Sequence, residues 1–263
     1  NYKTAHINIG MYNGVIATSL YGGSNIKGTI YGDVNILMAG GEISNSLYGG
    51  GKGGVSTNNP GTYVRDDVNV VIGNDTNSFI PIINGSVYGG SEAGSVNGSS
   101  ITSTVSLATT NVIVNKGIIN NVFGGGQGSK SETPYVFGNI FVTVNDGTIN
   151  NVFGGNDKSG KPNGDITVTI NGGQINSTYG GGNETGANTT NVYLNGGVST
   201  KIFGGSNLLG EVTTSNVITT GGESTLVYGG NNKGGTTNTT SITINDGNIA
   251  TVYGGGDETS VIN

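Results

Sequence analysis

The sequence predicts an all-β fold, a right-handed parallel β-helix (solenoid) of about nine coils of about 25 residues. Three observations lead there. An aromatic-Gly-Gly triplet occurs nine times, with its aromatic at Tyr21, Tyr48, Tyr88, Phe123, Phe153, Tyr179, Phe203, Tyr228 and Tyr253. Each aromatic follows Leu, Val, Ile or Thr, and successive aromatics lie 27, 40, 35, 30, 26, 24, 25 and 25 residues apart. Recurrence at this scale marks an array whose units bury their apolar sides only against their neighbours. Between triplets, apolar and polar residues alternate with the period of a half-buried strand, and no stretch sustains helical spacing.

The unit spanning 165–182 shows the elements in order. Ile166, Val168 and Ile170 alternate with Asp165, Thr167 and Thr169, which predicts a strand. Asn171-Gly172 then supplies a turn that tolerates positive φ. Ile175 resumes the apolar side, and the unit closes on Tyr179-Gly180-Gly181. The pattern repeats with Val112/Val114 before Asn115, Val142/Val144 before Asn145, Val192/Leu194 before Asn195 and Ile242/Ile244 before Asn245. Each coil therefore reads as strand, tight turn, strand, Gly-Gly corner and polar loop. The recurring turn asparagines are expected to stack in one column, each amide serving turn backbone groups of the next coil. Six-residue subrepeats are absent, and the period is too short for a four-stranded propeller blade.

Composition agrees with a narrow stack. Only 33% of residues are hydrophobic and 52 are Gly, too little apolar mass for a layered globule but enough for a thin seam. Low-complexity disorder is the competing reading, and it loses because the apolar residues recur in register. Without Cys there is no disulfide, thiol nucleophile or cysteine metal site. A net charge of −6 argues against nucleic acid and against a polybasic membrane surface. No apolar run approaches the length of a membrane span, so no membrane insertion is expected. Residues 1–263 read as a single β-helix segment of a longer surface protein, opening at Asn1 already inside the repeat.

Units such as TVTINGGQINSTYGGG and SNVITTGGESTLVYGGN resemble the Gly-rich β-helical repeats of bacterial adhesins, including autotransporter passenger domains and giant adhesin-like surface proteins of anaerobes. The resemblance covers nearly the whole chain. It implies an extracellular, cell-surface location and a non-enzymatic stalk or binding segment. The partner would be a glycan or a cell-surface protein, with self-association left open.

Candidate functional residues fall into four groups. The aromatic column is either a buried ring stack or, since alternation points it outward, an exposed platform for sugar faces; the buried reading is favoured because Phe and Tyr interchange. Carboxylates after several corners (Glu92, Asp157, Glu184, Asp257 and Glu258) raise Ca²⁺ binding through oxygen ligands. Other coils carry Gln127, Asn207 or Asn232 there, so solvated loop charges are the simpler account and no metal is assigned. Coils spanning about 51–138 carry longer loops, holding Tyr63, Arg65, Asp66, Asp67, Asp75, Glu92, Lys130, Glu132 and Tyr135. The ligand-binding candidates are Tyr63, Arg65, Asp66, Tyr88, Glu92 and Tyr135. Asp66-Asp67 invites comparison with the carboxylate pair of a polysaccharide lyase or hydrolase. Neighbours on a strand point to opposite faces, however, so no catalytic residue is assigned. His6 and the Thr-rich stretches receive no role. A polysaccharide-cleaving enzyme and a phage tail fibre or spike are the alternatives.

Overall fold

The computed structural model describes residues 5–54, 61–74, 76, 78–98 and 106–263. Asp75 and parts of the loops around 55–60 and 99–105 lie outside the described residues. The fold is a parallel β-solenoid of nine stacked coils, with no helix among the described residues. Three ladders of parallel strands run along it. The first comprises Ile7–Met11, Val34–Met38, Val68–Ile72, Thr109–Val114, Asn139–Val144, Ile166–Ile170 and Ala187–Leu194, and continues into Glu211–Tyr228 and Thr236–Tyr253. The second runs from Val15–Ile16 and Glu42–Ile43 through Ile82–Tyr88, Ile118–Phe123, Thr148–Phe153, Gln174–Tyr179 and Val198–Phe203 into the same two long strands. At about 4.8 Å per coil the stack is about 40 Å long.

The third ladder is short and was not evident in the sequence. Gly28–Ile30, Thr62–Val64, Ser95–Val96 and Tyr135–Val136 pair in parallel, inside what reads as long loops. Strands of two or three residues carry too little alternation to register as a period.

In-register stacking places like residues over like. Ile36, Val70, Val112, Val142, Val168, Val192 and Val217 form one inner column, with Met38, Ile72, Val114, Val144, Ile170 and Leu194 beside it. Ile43, Ile83, Ile119, Ile149 and Ile175 face them from the second ladder within one continuous aliphatic core. Two interior hydroxyls of the later coils are satisfied across the coil. Thr190 Oγ1 donates to the carbonyl of Gly204 at 2.6 Å, and Ser215 Oγ to that of Gly229 at 2.6 Å.

Glycine does two different jobs. In the turns, Gly147, Gly173, Gly197 and Gly222 take φ of +127°, +87°, +67° and +72°, values that side chains rarely adopt. The first glycine of every triplet but the last answers to closeness instead. A Cβ on Gly154 would lie 2.3 Å from the Gly180 carbonyl and 2.4 Å from Cγ2 of Ile166. The corner can press its backbone onto the first-ladder side chains only without a Cβ.

The turn asparagines stack as expected, with one difference. Asn145, Asn171 and Asn195 donate to the side-chain oxygens of Asn115, Asn145 and Asn171 at 2.8, 2.9 and 3.0 Å. Only Asn115 reaches backbone, at the Gly73 carbonyl, and Thr220 Oγ1 continues the column by donating to Asn195. The amides thus serve one another, because parallel in-register coils bring identical side chains closer than any turn carbonyl.

Candidate ligand surfaces

The nine aromatics form one unbroken stack. Neighbouring ring centroids are 4.5–5.1 Å apart, and interplanar angles run from 3° to 14°. Strand alternation does hold: the preceding Val122 or Val152 joins the aliphatic core, while Phe123 and Phe153 belong to a separate ring cluster on the other side. The seven rings from Tyr48 to Tyr228 are nevertheless buried, Tyr48, Tyr88 and Phe123 each being 3% exposed, while Tyr21 is half-buried and Tyr253 exposed. The chain after each Gly-Gly corner runs beside them, and its polar side chains reach the phenol hydroxyls.

Those hydroxyls follow a regular offset. Tyr21 donates to Glu92, Tyr48 to Gln127 at 2.7 Å and Tyr88 to Asp157 at 3.2 Å, while the Tyr179 oxygen accepts from Asn232 at 3.5 Å. For these four the partner sits two coils further along, whereas Tyr228 bonds Asp257 one coil on. Beside the intervening Phe rings the same loop column satisfies itself: Asn183 donates to Asp157, Asn207 to Asn183 and Asn232 to Asn207, at 2.9, 2.8 and 2.7 Å. Burial, reinforced by the Glu92 and Asp157 carboxylates, pushes the Tyr48 and Tyr88 phenols well above their ordinary range, and burial does the same at Tyr179. Tyr21 moves the same way, through burial and then its bond to Glu92.

This arrangement corrects two expectations. Tyr88 is enclosed in the stack and offers no face to a ligand. Asp157, only 7% exposed, and Glu92 are structural acceptors for tyrosine rather than freely solvated loop charges. Glu184 and Glu258 remain exposed, and the carboxylates named for Ca²⁺ are dispersed over several coils.

The remaining loop candidates partly converge. Tyr63, Ser95 and Tyr135 occupy one register position of the third ladder, with both tyrosines half-buried. Arg65 follows in the same coil, its guanidinium 5.0 Å from the Tyr31 ring centroid. Asp66 lies at the bend between the third and first ladders. There its carboxylate comes within 4.8 Å of those of Asp33 and Asp67, contrary to the opposite-face expectation. A bend, not a strand, separates the two neighbours, so alternation does not apply.

Two members of that trio have structural duties. Asp67 accepts from the Thr109 backbone N–H at 2.6 Å and its hydroxyl at 3.1 Å, and Asp33 accepts from the Asp67 N–H at 3.3 Å. His6 Nδ1 lies 3.1 Å from an Asp33 oxygen. Each side chain here holds the backbone of the next coil at the corner. Asp66 keeps the most open carboxylate of the three.

A long groove lies elsewhere, on the outer side of the second ladder. It encloses about 520 Å³ and crosses the third to seventh coils, from Ile83 and Asn84 to Thr200. None of its lining residues is charged. Asn120, Asn150 and Asn176 form one side, with Asn150 donating to Asn120 at 3.4 Å and Asn176 to Asn150 at 3.3 Å. Ile118, 52% exposed, and then Thr148 and Gln174 form the other. Sequence reading missed this groove because Asn and Ile at alternate strand positions look like ordinary alternation, and the row exists only once coils are stacked. Compared with protein family models, curated proteins and solved structures, the chain matches none of them.

Proposed function

We propose that this chain is a rigid, non-enzymatic segment of an extracellular cell-surface protein of adhesin type, and that its second-ladder groove holds an uncharged glycan. The observation that carries this reading is the groove's length and neutrality. Asn150, in the middle of the row, gives one N–H to Asn120 and one oxygen lone pair to Asn176, and keeps another of each for a ligand. A linear neutral glycan presents hydroxyls that match these amides and C–H faces that match the Ile118 side. Several weak contacts repeated along a stiff axis let avidity replace a deep pocket. A surface protein is the second class of partner.

The test is retention of neutral and anionic oligosaccharides on the immobilised chain, repeated with Asn150→Asp. Neutral glycans should be held and the aspartate variant should lose them. Failure of every neutral glycan to bind would leave a plain spacer as the better description. Cleavage of a polysaccharide has one observation in its favour, the approach of Asp66 to Asp67. Asp67 is occupied by Thr109, however, which leaves Asp66 without a free carboxylate partner of the kind hydrolysis uses. Shortening of an acidic glycan by the wild-type chain, lost in Asp66→Asn, would reinstate that reading.

A further inference from the structure

The groove on the second ladder has a step of its own. Successive coils set an amide or a hydroxyl at the same place on one wall: Asn84, Asn120, Asn150, Asn176 and then Thr200. The four asparagines are exposed and Thr200 is half-buried. The other wall is the register column Ile118, Thr148 and Gln174. From the third coil to the seventh is four coil spacings, about 19 Å. Carboxylates of that same register column bracket this neutral stretch. Glu42, in the second coil, precedes Ile82 and accepts from Asn84 at 2.8 Å, while Glu223, in the eighth, follows Val198. The groove therefore has a fixed step, a fixed length and an uncharged interior.

The step discriminates between ligands. A ligand lying along the axis must offer a polar group about every 4.8 Å to meet each coil. An extended peptide presents one face every second residue, about every 6.6 Å, and falls out of phase within two coils. A polyproline helix presents the same face about every 9.3 Å, which meets alternate coils and leaves the amides between them unanswered. A pyranose chain linked through equatorial oxygens is straight, and each of its sugars spans close to one coil spacing. Its rings carry hydroxyls at their edges and C–H groups on their faces, matching the amides of one wall and Ile118 of the other. Successive rings in such a chain turn over, so opposite edges reach the row. An amide carries both donors and an acceptor and serves either edge. Axially linked chains of the same sugars curl away from a straight row. We propose that the groove holds an extended, equatorially linked neutral glycan laid along the solenoid axis, one sugar against each coil, an inference that rests on the neutral-glycan function proposed for the same groove. Glu42 and Glu223 disfavour a uronate chain, which would set its own charges beside theirs.

Calorimetric titration of the wild-type chain with two series of neutral oligosaccharides, two to seven glucose units long, tests this fit. One series is linked equatorially and extended, the other axially and helical. In the extended series each added sugar should tighten binding about two- to tenfold, the worth of one net hydrogen bond, and the gain should stop at about five sugars, one for each lining coil. The axial series should gain nothing beyond its shortest member. Asn84→Ala, at an exposed position at one end of the row, should move the plateau to about four sugars without unfolding the chain. Affinity that is the same at every length, or higher for the axial series, would overturn the one-sugar-per-coil fit and leave neutral-glycan binding in place. Silence from every member of both series would remove neutral-glycan binding itself, and the fit with it.

Discussion

Replacing Phe153 by Ala separates the role of the ring stack from ordinary burial. Phe153 sits mid-stack, 4% exposed, with Phe123 at 4.5 Å on one side and Tyr179 at 4.7 Å on the other. Truncating a buried Phe costs about 3–5 kcal/mol. Both neighbouring rings also lose a stacked partner, a contact worth about 0.5–1.5 kcal/mol each beyond burial. Since the two figures overlap, about 4–5 kcal/mol is expected. Tyr253 supplies the comparison, being half exposed and stacked on one side only; Tyr253→Ala should cost about 1 kcal/mol. In a linear array each coil is stabilised by its neighbours, so a loss of this size at the fifth coil should also divide the unfolding transition. Urea unfolding followed by circular dichroism and, separately, by tyrosine emission reads both effects. Wild type and Tyr253→Ala should give coincident curves, whereas Phe153→Ala should shift to lower urea and become biphasic. Equal losses in the two variants, with a single transition in each, would refute the view that the rings couple the coils.

Three further outcomes follow from the geometry. Because Tyr48, Tyr88 and Tyr179 keep their protons in the folded chain above the usual phenol range, their contribution to stability should hold constant until the pH approaches about 10, where the unfolded phenols ionise. Above that it should fall by up to about 1.4 kcal/mol per pH unit for each buried phenol, and Tyr48→Phe should reduce the slope of the urea midpoint against pH. Gly154→Ala should destabilise by more than about 2 kcal/mol in thermal melts, since its Cβ would meet the Gly180 carbonyl at 2.3 Å. Gly254→Ala, at the same triplet position but with nothing within 4 Å, should stay within about 0.5 kcal/mol of wild type. Asp67→Ala should cost about 1–3 kcal/mol by orphaning the Thr109 donors, while Asp66→Ala should leave the melting temperature nearly unchanged.

What could be read from the sequence was whatever repeats at a fixed interval and faces the aliphatic seam. Ile166, Val168 and Ile170 lie where their alternation places them, and Asn115, Asn145, Asn171 and Asn195 form the expected column. Alternation also sent the aromatics away from that seam, correctly. It could not reveal that polar residues from two coils further on would cover them, because Glu92, Gln127 and Asp157 look like solvent-facing loop residues in a linear reading. The third ladder escaped for want of length, and Asp66-Asp67 were misjudged because a bend replaces the strand that the face rule assumes. The groove is a property of stacking alone: Asn120, Asn150 and Asn176 are unremarkable singly and become a surface only in a row.

The two-coil reach of the tyrosine hydroxyls bears on how such a chain could mature while emerging progressively from one end. Tyr48 has its acceptor only when Gln127 has arrived, and Tyr88 only when Asp157 has. A winding that has already taken shape therefore still holds an unanswered phenol until the second winding after it is laid down. The finished portion should trail the emerging one by about two turns, so that a stalled chain would carry its least settled hydroxyls at the advancing tip.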